Sequence, residues 1–226
     1  MNGVWVFFYP CNVKDIDCLR KATQDFLSKT YGGVPALGLT QVDPMIIPTL
    51  FVPVDPTLEV DFKFENLTVS GLKNLKIEDF QMHLDQQTAT LQMKADIDII
   101  SAIEITLKKY SKSLFGSYSA TASPIGTAKY PVSLQNINGT EYFVVGPESI
   151  ACEIANEPVV KFGAELQKQI NEDADAVNLQ LEWERKQVEI RKKDICHIAG
   201  VAFKAIVQNL RTLATHLPKN AFFKDV

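Results

Sequence analysis

Between Leu58 and Phe162 apolar and polar residues alternate. Leu58, Val60, Phe62 and Phe64 are interleaved with Glu59, Asp61, Lys63 and Glu65. Leu91, Met93, Ala95, Ile97 and Ile99 are interleaved with Gln92, Lys94, Asp96 and Asp98. Ile103, Ile105 and Leu107 continue the pattern, and Phe80, Met82 and Leu84 form another run. A period of two predicts antiparallel strands with one dry and one wet face. Gly71 and Asn74 mark turns between strands. Asn138-Gly139 predicts a two-residue hairpin. Its register sets Ile137 opposite Thr140, Leu134 opposite Phe143 and Val132 opposite Val145. Tyr130 then shares an inner face with Val132, Leu134, Phe143 and Val145, one phenol on an otherwise apolar surface. Lys129, Ser133 and Tyr142 point the other way, as does Pro131, which needs an edge position or a bulge.

The period becomes helical at both ends of the chain. Leu19, Ala22, Phe26 and Leu27 fall on one face of a short helix from about Asp17 to Thr30, capped by an aspartate and stopped by Gly32-Gly33. Pro35, Pro44, Pro48, Pro53 and Pro56 then exclude regular helix and predict extended, turning chain across the surface. Gln167 to Arg191 is charged and helical in part, with Asn171-Glu172-Asp173 as a loop. From Ile195 to Leu217 the apolar residues, Ile198, Ala199, Val201, Ala202, Phe203, Ala205, Ile206 and Val207 among them, go most of the way round a helix. Such a helix is buried. Lys204, Gln208, Asn209, Arg211 and His216 interrupt it, so it is no membrane span. It starts at Ile195, or as early as Trp183, and Pro218 ends it.

Something must wrap that helix, and the strands are what the chain offers. The expected architecture is α+β: a long C-terminal helix inside a strongly curved antiparallel sheet, with a short N-terminal helix. No second core is visible, so residues 11–226 form one domain, and residues 1–10 are an N-terminal arm or a signal remnant. A helix is ~10 Å across, so a sheet curved around it leaves apolar space near its ends. Containers of this kind usually carry lipids.

Composition narrows the functions. The chain has 226 residues, a 46% hydrophobic fraction and a net charge of −4. No basic block stands out, which argues against nucleic acid and against an anionic membrane surface. Cys11 and Cys18 lie together, and Cys152 and Cys196 form a second, wider pair. Four cysteines allow three connectivities, of which nearest-neighbour pairing is the simplest. Asn66-Leu67-Thr68 and Asn138-Gly139-Thr140 are glycosylation acceptors, and together with the cysteines they point to a secreted protein. Val4-Trp5-Val6-Phe7-Phe8 reads as the remnant of a signal's apolar core or as an arm packed on the body. Catalytic, metal and cofactor signatures are missing: there is no G-x-S-x-G, H-E-x-x-H or phosphate loop. His83, His197 and His216 have no nucleophile or metal partner nearby in sequence. Asp15 and Asp17 read as a helix cap, and Asp96 and Asp98 as a strand's wet face. Phe222-Phe223 is either a lid or ordinary packing.

Cys11, Cys18, Gly32-Gly33 before Val34-Pro35, Asp43-Pro44, the run from Asn66 to Asn74 and Asp79-Phe80 together resemble the juvenile hormone-binding protein and takeout family of insects. The resemblance spans about Cys11 to Phe223. Cys152, Cys196 and the ending from Leu217-Pro218 to Phe222-Phe223 look most like the lepidopteran haemolymph carriers. The resemblance implies disulfides Cys11–Cys18 and Cys152–Cys196 and a tubular lipid-binding fold. It implies a secreted haemolymph carrier, monomeric and without cofactor, for juvenile hormone, a sesquiterpenoid with an epoxide at one end and a methyl ester at the other. In such carriers a tyrosine hydroxyl bonds the epoxide and a phenylalanine packs on the chain; these fall on Tyr130 and Phe143, beside Val132, Leu134 and Val145. The family's gate matches the end of the helix and the tail: Leu213, Leu217, Phe222 and Phe223. Cys196 should tie the first turn of the helix to a strand end, leaving the far end mobile for ligand entry. A carrier of another long apolar ligand, such as a fatty acid or quinone, and an interaction protein with a vestigial cavity are the competing readings.

Overall fold

The computed structural model describes residues 8–55 and 57–225. Most of the expected N-terminal arm or signal remnant, residues 1–7, lies outside the described residues. The first helix, α1, runs from Ile16 to Thr30; the Asp15 carboxylate caps it by accepting from the Cys18 N–H at 3.0 Å. Its buried face carries Leu19, Ala22, Phe26 and Leu27, the four residues whose spacing predicts it.

The proline-rich stretch behaves only partly as expected. Pro35–Leu37 makes a single 3-10 turn, and the chain then forms a long strand, β1 (Met45–Asp55). This strand ends its sheet and pairs only with β2, so Pro48 and Pro53 interrupt no ladder on its outer side.

Strands β2 (Val60–Ser70), β5 (Ile97–Leu107), β6 (Lys112–Ala122) and β10 (Val159–Phe162) complete the first sheet, in the order β1-β2-β5-β6-β10. A second sheet runs β3 (Lys76–His83), β4 (Thr88–Lys94), β7 (Pro124–Ile137), β8 (Thr140–Val145), with β9 (Ser149–Ile154) also on β7. Both are antiparallel, curved and not closed. The alternation slips within β2. Asn66, at φ 52°, sits in a bulge against β5, and the extra residue keeps Phe64, Leu67 and Val69 all buried.

Helix α2 (Ala164–Glu172) leads into the long helix α3, Ala174–His216. The 43 residues of α3 span about 65 Å at ~1.5 Å each. It therefore begins well before both Ile195 and Trp183, and the expected Asn171–Asp173 loop shrinks to Asp173. That residue is the cap: its carboxylate accepts from the N–H groups of Asp175 and Ala176 and from the Lys112 ammonium. The apolar girdle that marks the helix in the sequence covers only its second half. There Ile195, Ile198, Ala202, Phe203, Val207 and Leu213 are fully enclosed, whereas the first half rests on a narrower stripe of Leu179, Trp183 and Ile190.

The helix crosses β7 where Gly126 leaves room for Phe203; a Cβ on Gly126 would lie 2.3 Å from that ring. Both disulfides form with nearest-neighbour pairing, Cys11–Cys18 and Cys152–Cys196. The second joins β9 to the middle of α3. It does not hold the helix's first turn, because the helix starts so far upstream.

Candidate functional site

The hairpin forms in the predicted register: Ile137 opposite Thr140, Leu134 opposite Phe143, Val132 opposite Val145. Strand β4 stops pairing with β7 at Thr88–Pro131, so Tyr130 lies in the body of the sheet, opposite Ala89, and Pro131 sits at the limit of that pairing. Beyond Pro131 only β8 accompanies β7, and the ribbon projects. Leu134 is therefore 43% exposed and does not reach the interior. This corrects its placement on the inner face: the alternation is right, but no layer lies over that part of the ribbon.

The other four residues come together. Tyr130, Val132, Phe143 and Val145 line one cavity, closed by Phe80 and Met82 of β3, Leu210 and Ala214 of α3, and Leu19 and Thr23 of α1. Phe8, Phe222 and Phe223 complete it. Its volume is about 60 Å³, well below the ~300–1,000 Å³ of small-molecule sites. Among the described lining residues only Tyr130 and Thr23 carry a hydroxyl. Tyr130 is 5% exposed, and burial pushes its phenol well above the usual tyrosine range. It is a neutral hydrogen-bond donor at physiological pH.

Aromatic rings form the lid. Phe143 meets Phe222 at 6.0 Å and Phe223 at 5.4 Å, both edge-on, and Phe8 meets Phe222 at 5.2 Å. Leu213 and Leu217, expected in the gate, are buried in the core one step round the helix; Leu210 and Ala214 face the cavity instead. The tail is strapped down. The Lys224 N–H donates to the Cys11 carbonyl at 2.9 Å, the Cys11 N–H to the Phe222 carbonyl at 3.0 Å, and the Val13 N–H to the Asp225 carboxylate at 2.9 Å. Lys219 pairs with Glu141 at 2.5 Å. The Cys11–Cys18 bridge thus connects the tail to α1, so the lid has two chain ends in it. Below, Arg211 donates from Nε to the Val145 carbonyl at 3.0 Å and from Nη2 to that of Gly146 at 2.7 Å, and it pairs with Glu148.

Residues 5–108 match the family described as haemolymph juvenile hormone binding protein. Over 220 residues, 97% of this chain and 96% of the relative, the sequence is 39% identical to the juvenile hormone-binding protein of Manduca sexta. The chain belongs to the haemolymph juvenile hormone-binding protein family. The structure of Takeout 1 from Epiphyas postvittana superposes with a TM-score of 0.78, covering 95% of this chain and 99% of that one at 12% identity. The shared fold is therefore takeout-like. A family of binding proteins points to a carrier rather than an enzyme. Among the described residues no cluster of histidine, cysteine and carboxylates could hold a metal, and no helix is long and apolar enough to cross a membrane.

The contributions of Phe8, α1 and β3 to this family member's cavity were not visible in the sequence. The apolar face of α1 shows that it packs on something, and the Cys11–Cys18 loop shows that its start is held, but neither names the partner. Asn66 and Asn138, the two glycosylation acceptors, are exposed, in the β2 bulge and at the hairpin tip. A second, larger cavity of about 470 Å³ lies at the other end of α3, beside Trp183. Space near both ends of the helix is what a curved sheet around one cylinder leaves.

Proposed function

We propose that the protein is a secreted, monomeric haemolymph carrier that binds juvenile hormone in the chamber beside Tyr130. The observation that carries this reading is a single buried phenol in an otherwise almost wholly apolar lining. Each methylene of a terpenoid that leaves water contributes ~0.8 kcal/mol. An epoxide oxygen buried without a donor would cost about 1–3 kcal/mol. The Tyr130 hydroxyl removes that cost, and Phe143 packs on the chain. Closure of Phe222 and Phe223 keeps hydrolases from the ester. At about 60 Å³ the chamber is far smaller than the ~300–1,000 Å³ of small-molecule sites, so the hormone enters by displacing the aromatic lid. The homology to an extracellular hormone-binding protein and the two disulfides support secretion; glycans on Asn66 and Asn138 fit the same route.

Equilibrium binding of labelled juvenile hormone tests the proposal. Saturable one-to-one binding is expected, and Tyr130→Phe should weaken it by about 1–2 kcal/mol, the loss of one buried hydrogen bond. Absence of saturable binding at micromolar protein refutes the hormone reading. Unchanged affinity in the Tyr130 variant removes that residue from it.

A further inference from the structure

The larger cavity is lined by different residues from the Tyr130 chamber. No described residue lines both, and Phe64, Ile99, Ile198 and Phe203, all essentially inaccessible, belong to the packed core of the curved sheets and α3. It has about 470 Å³, within the ~300–1,000 Å³ range of small-molecule sites. Its walls come from Val60 and Phe62 of β2, Leu107 of β5 and Trp183 of α3, whose indole lies 5.5 Å from the Phe62 ring. This is a site for hydrocarbon. Its polar groups are not spread evenly. The charged lining residues are Lys161, Glu184 and Arg191, two cations and one anion.

Arg191 is the unusual one. Its Nη1 donates to Glu157 at 3.1 Å, and its Nε is buried with no acceptor among the described residues. A guanidinium binds carboxylates through a fork of two N–H groups. The bond to Glu157 engages one end of that fork and leaves the Nε side unmet. Buried donors are almost always paired in native structures, and an orphan calls for an explanation. Apolar walls that also carry Gln167, Gln180, Gln187, Lys161 and Glu184, with one buried and unmet guanidinium donor at Arg191, are the complement of an amphiphile with an anionic head.

We propose that this second chamber binds a monocarboxylic acid with an extended hydrocarbon tail. The carboxylate accepts from the Nε side of Arg191, and the tail lies against Trp183, Phe62 and Val60. The site is independent of the hormone chamber in both position and head-group chemistry.

Trp183 supplies the readout, since it lines the cavity and is one of only two tryptophans in the chain. Intrinsic fluorescence of the full chain is titrated with dodecanoate and with methyl dodecanoate, and Trp183→Phe assigns the signal. Saturable one-to-one binding of the acid is expected, at least tenfold tighter than the ester. Arg191→Gln should abolish that preference while leaving the ester unaffected. Arg191→Lys, which keeps the charge but loses the Nε donor, should retain only part of it and serves if the glutamine variant does not fold. Gln187→Trp, which fills the chamber, should prevent binding of both ligands while labelled juvenile hormone still binds. The proposal is overturned if dodecanoate gives no saturable signal from Trp183, if acid and ester bind alike, or if the acid is displaced stoichiometrically by juvenile hormone. Hormone binding is scored separately with the labelled compound, so failure of one site is distinguishable from failure of the other.

Discussion

Burial favours the neutral form of both Asp194 and Tyr130, with opposite consequences. For Tyr130 the neutral phenol is the ground state in water as well, so burial removes little except solvent. Asp194 is 3% exposed and its Oδ1 has no partner among the described residues; burial raises its pKa from 3.8 to about 7, with Lys193 opposing the shift. The folded state therefore binds a proton that the unfolded chain has already released. Stability from this group is full below about pH 4 and is lost as pH rises towards 7. The loss is at most on the order of 4 kcal/mol. Asp194→Asn should flatten that slope: urea midpoints of variant and parent should lie closest below about pH 4, and the variant's advantage should grow as pH rises and level off above about pH 7. Equal pH dependence in the two would place the carboxyl in a solvated setting. The sequence made Tyr130 legible but not Asp194 or Arg191. Tyr130 sits a countable distance from an Asn-Gly turn, so register alone sets its face. Asp194 and Arg191 stand in a run of charges, Glu189 to Asp194, where neither helical period nor residue type separates a buried ion from a solvated one.

Among the elements, the crossing of α3 over β7 is where packing is least forgiving. Gly126 is the only residue type that lets Phe203 lie against the strand, and Phe203 is itself fully enclosed, so its ring has nowhere to retreat. Gly126→Ala should destabilise the fold by about 1–3 kcal/mol through overpacking. Phe203→Leu made in that background should cost less than in the parent, because the two residues contest the same space. Chemical denaturation of the four proteins measures both statements, and strictly additive losses would deny the contact. The same crossing explains which elements could be read in advance. The girdle around Phe203 marks the enclosed half of α3, but upstream the partly buried stripe of Leu179, Trp183 and Ile190 is thin, which hides how far the helix extends, from Ala174 to Asp194. Strand β1 was hidden differently: its prolines forbid a central strand and are silent about an edge. Leu134 shows the limit of alternation, which assigns a face without saying whether anything covers it.

Across the whole molecule the two disulfides divide labour. Cys152–Cys196 pins α3 to β9 between the two chambers, not at one end of the helix. Cys11–Cys18 joins the start of α1 to a segment that pairs with the tail, so the lid over Tyr130 is built from both chain ends and one crosslink. The tail buries only Ala221 and Phe223, and its hydrogen bonds go to Cys11 and Val13 in the other terminal segment, so the two can open together at lower cost than the girdle. The mid-helix girdle has the opposite character. Hydrogen exchange should therefore be slowest around Ile195–Val207 and fastest in the tail, residues 218–225, and in residues 8–15. Juvenile hormone should slow exchange in those two segments and in α1 together, because they close over it as one body. It should leave the start of α3, residues 174–187, unchanged, since none of those residues lines the Tyr130 chamber. Phe222→Ala should speed both hormone association and release with a smaller change in affinity, as expected when a lid rather than a contact is lost. Faster exchange around Cys196 than in the tail would contradict this assignment, and protection spreading to residues 174–187 would mean that the two chambers communicate.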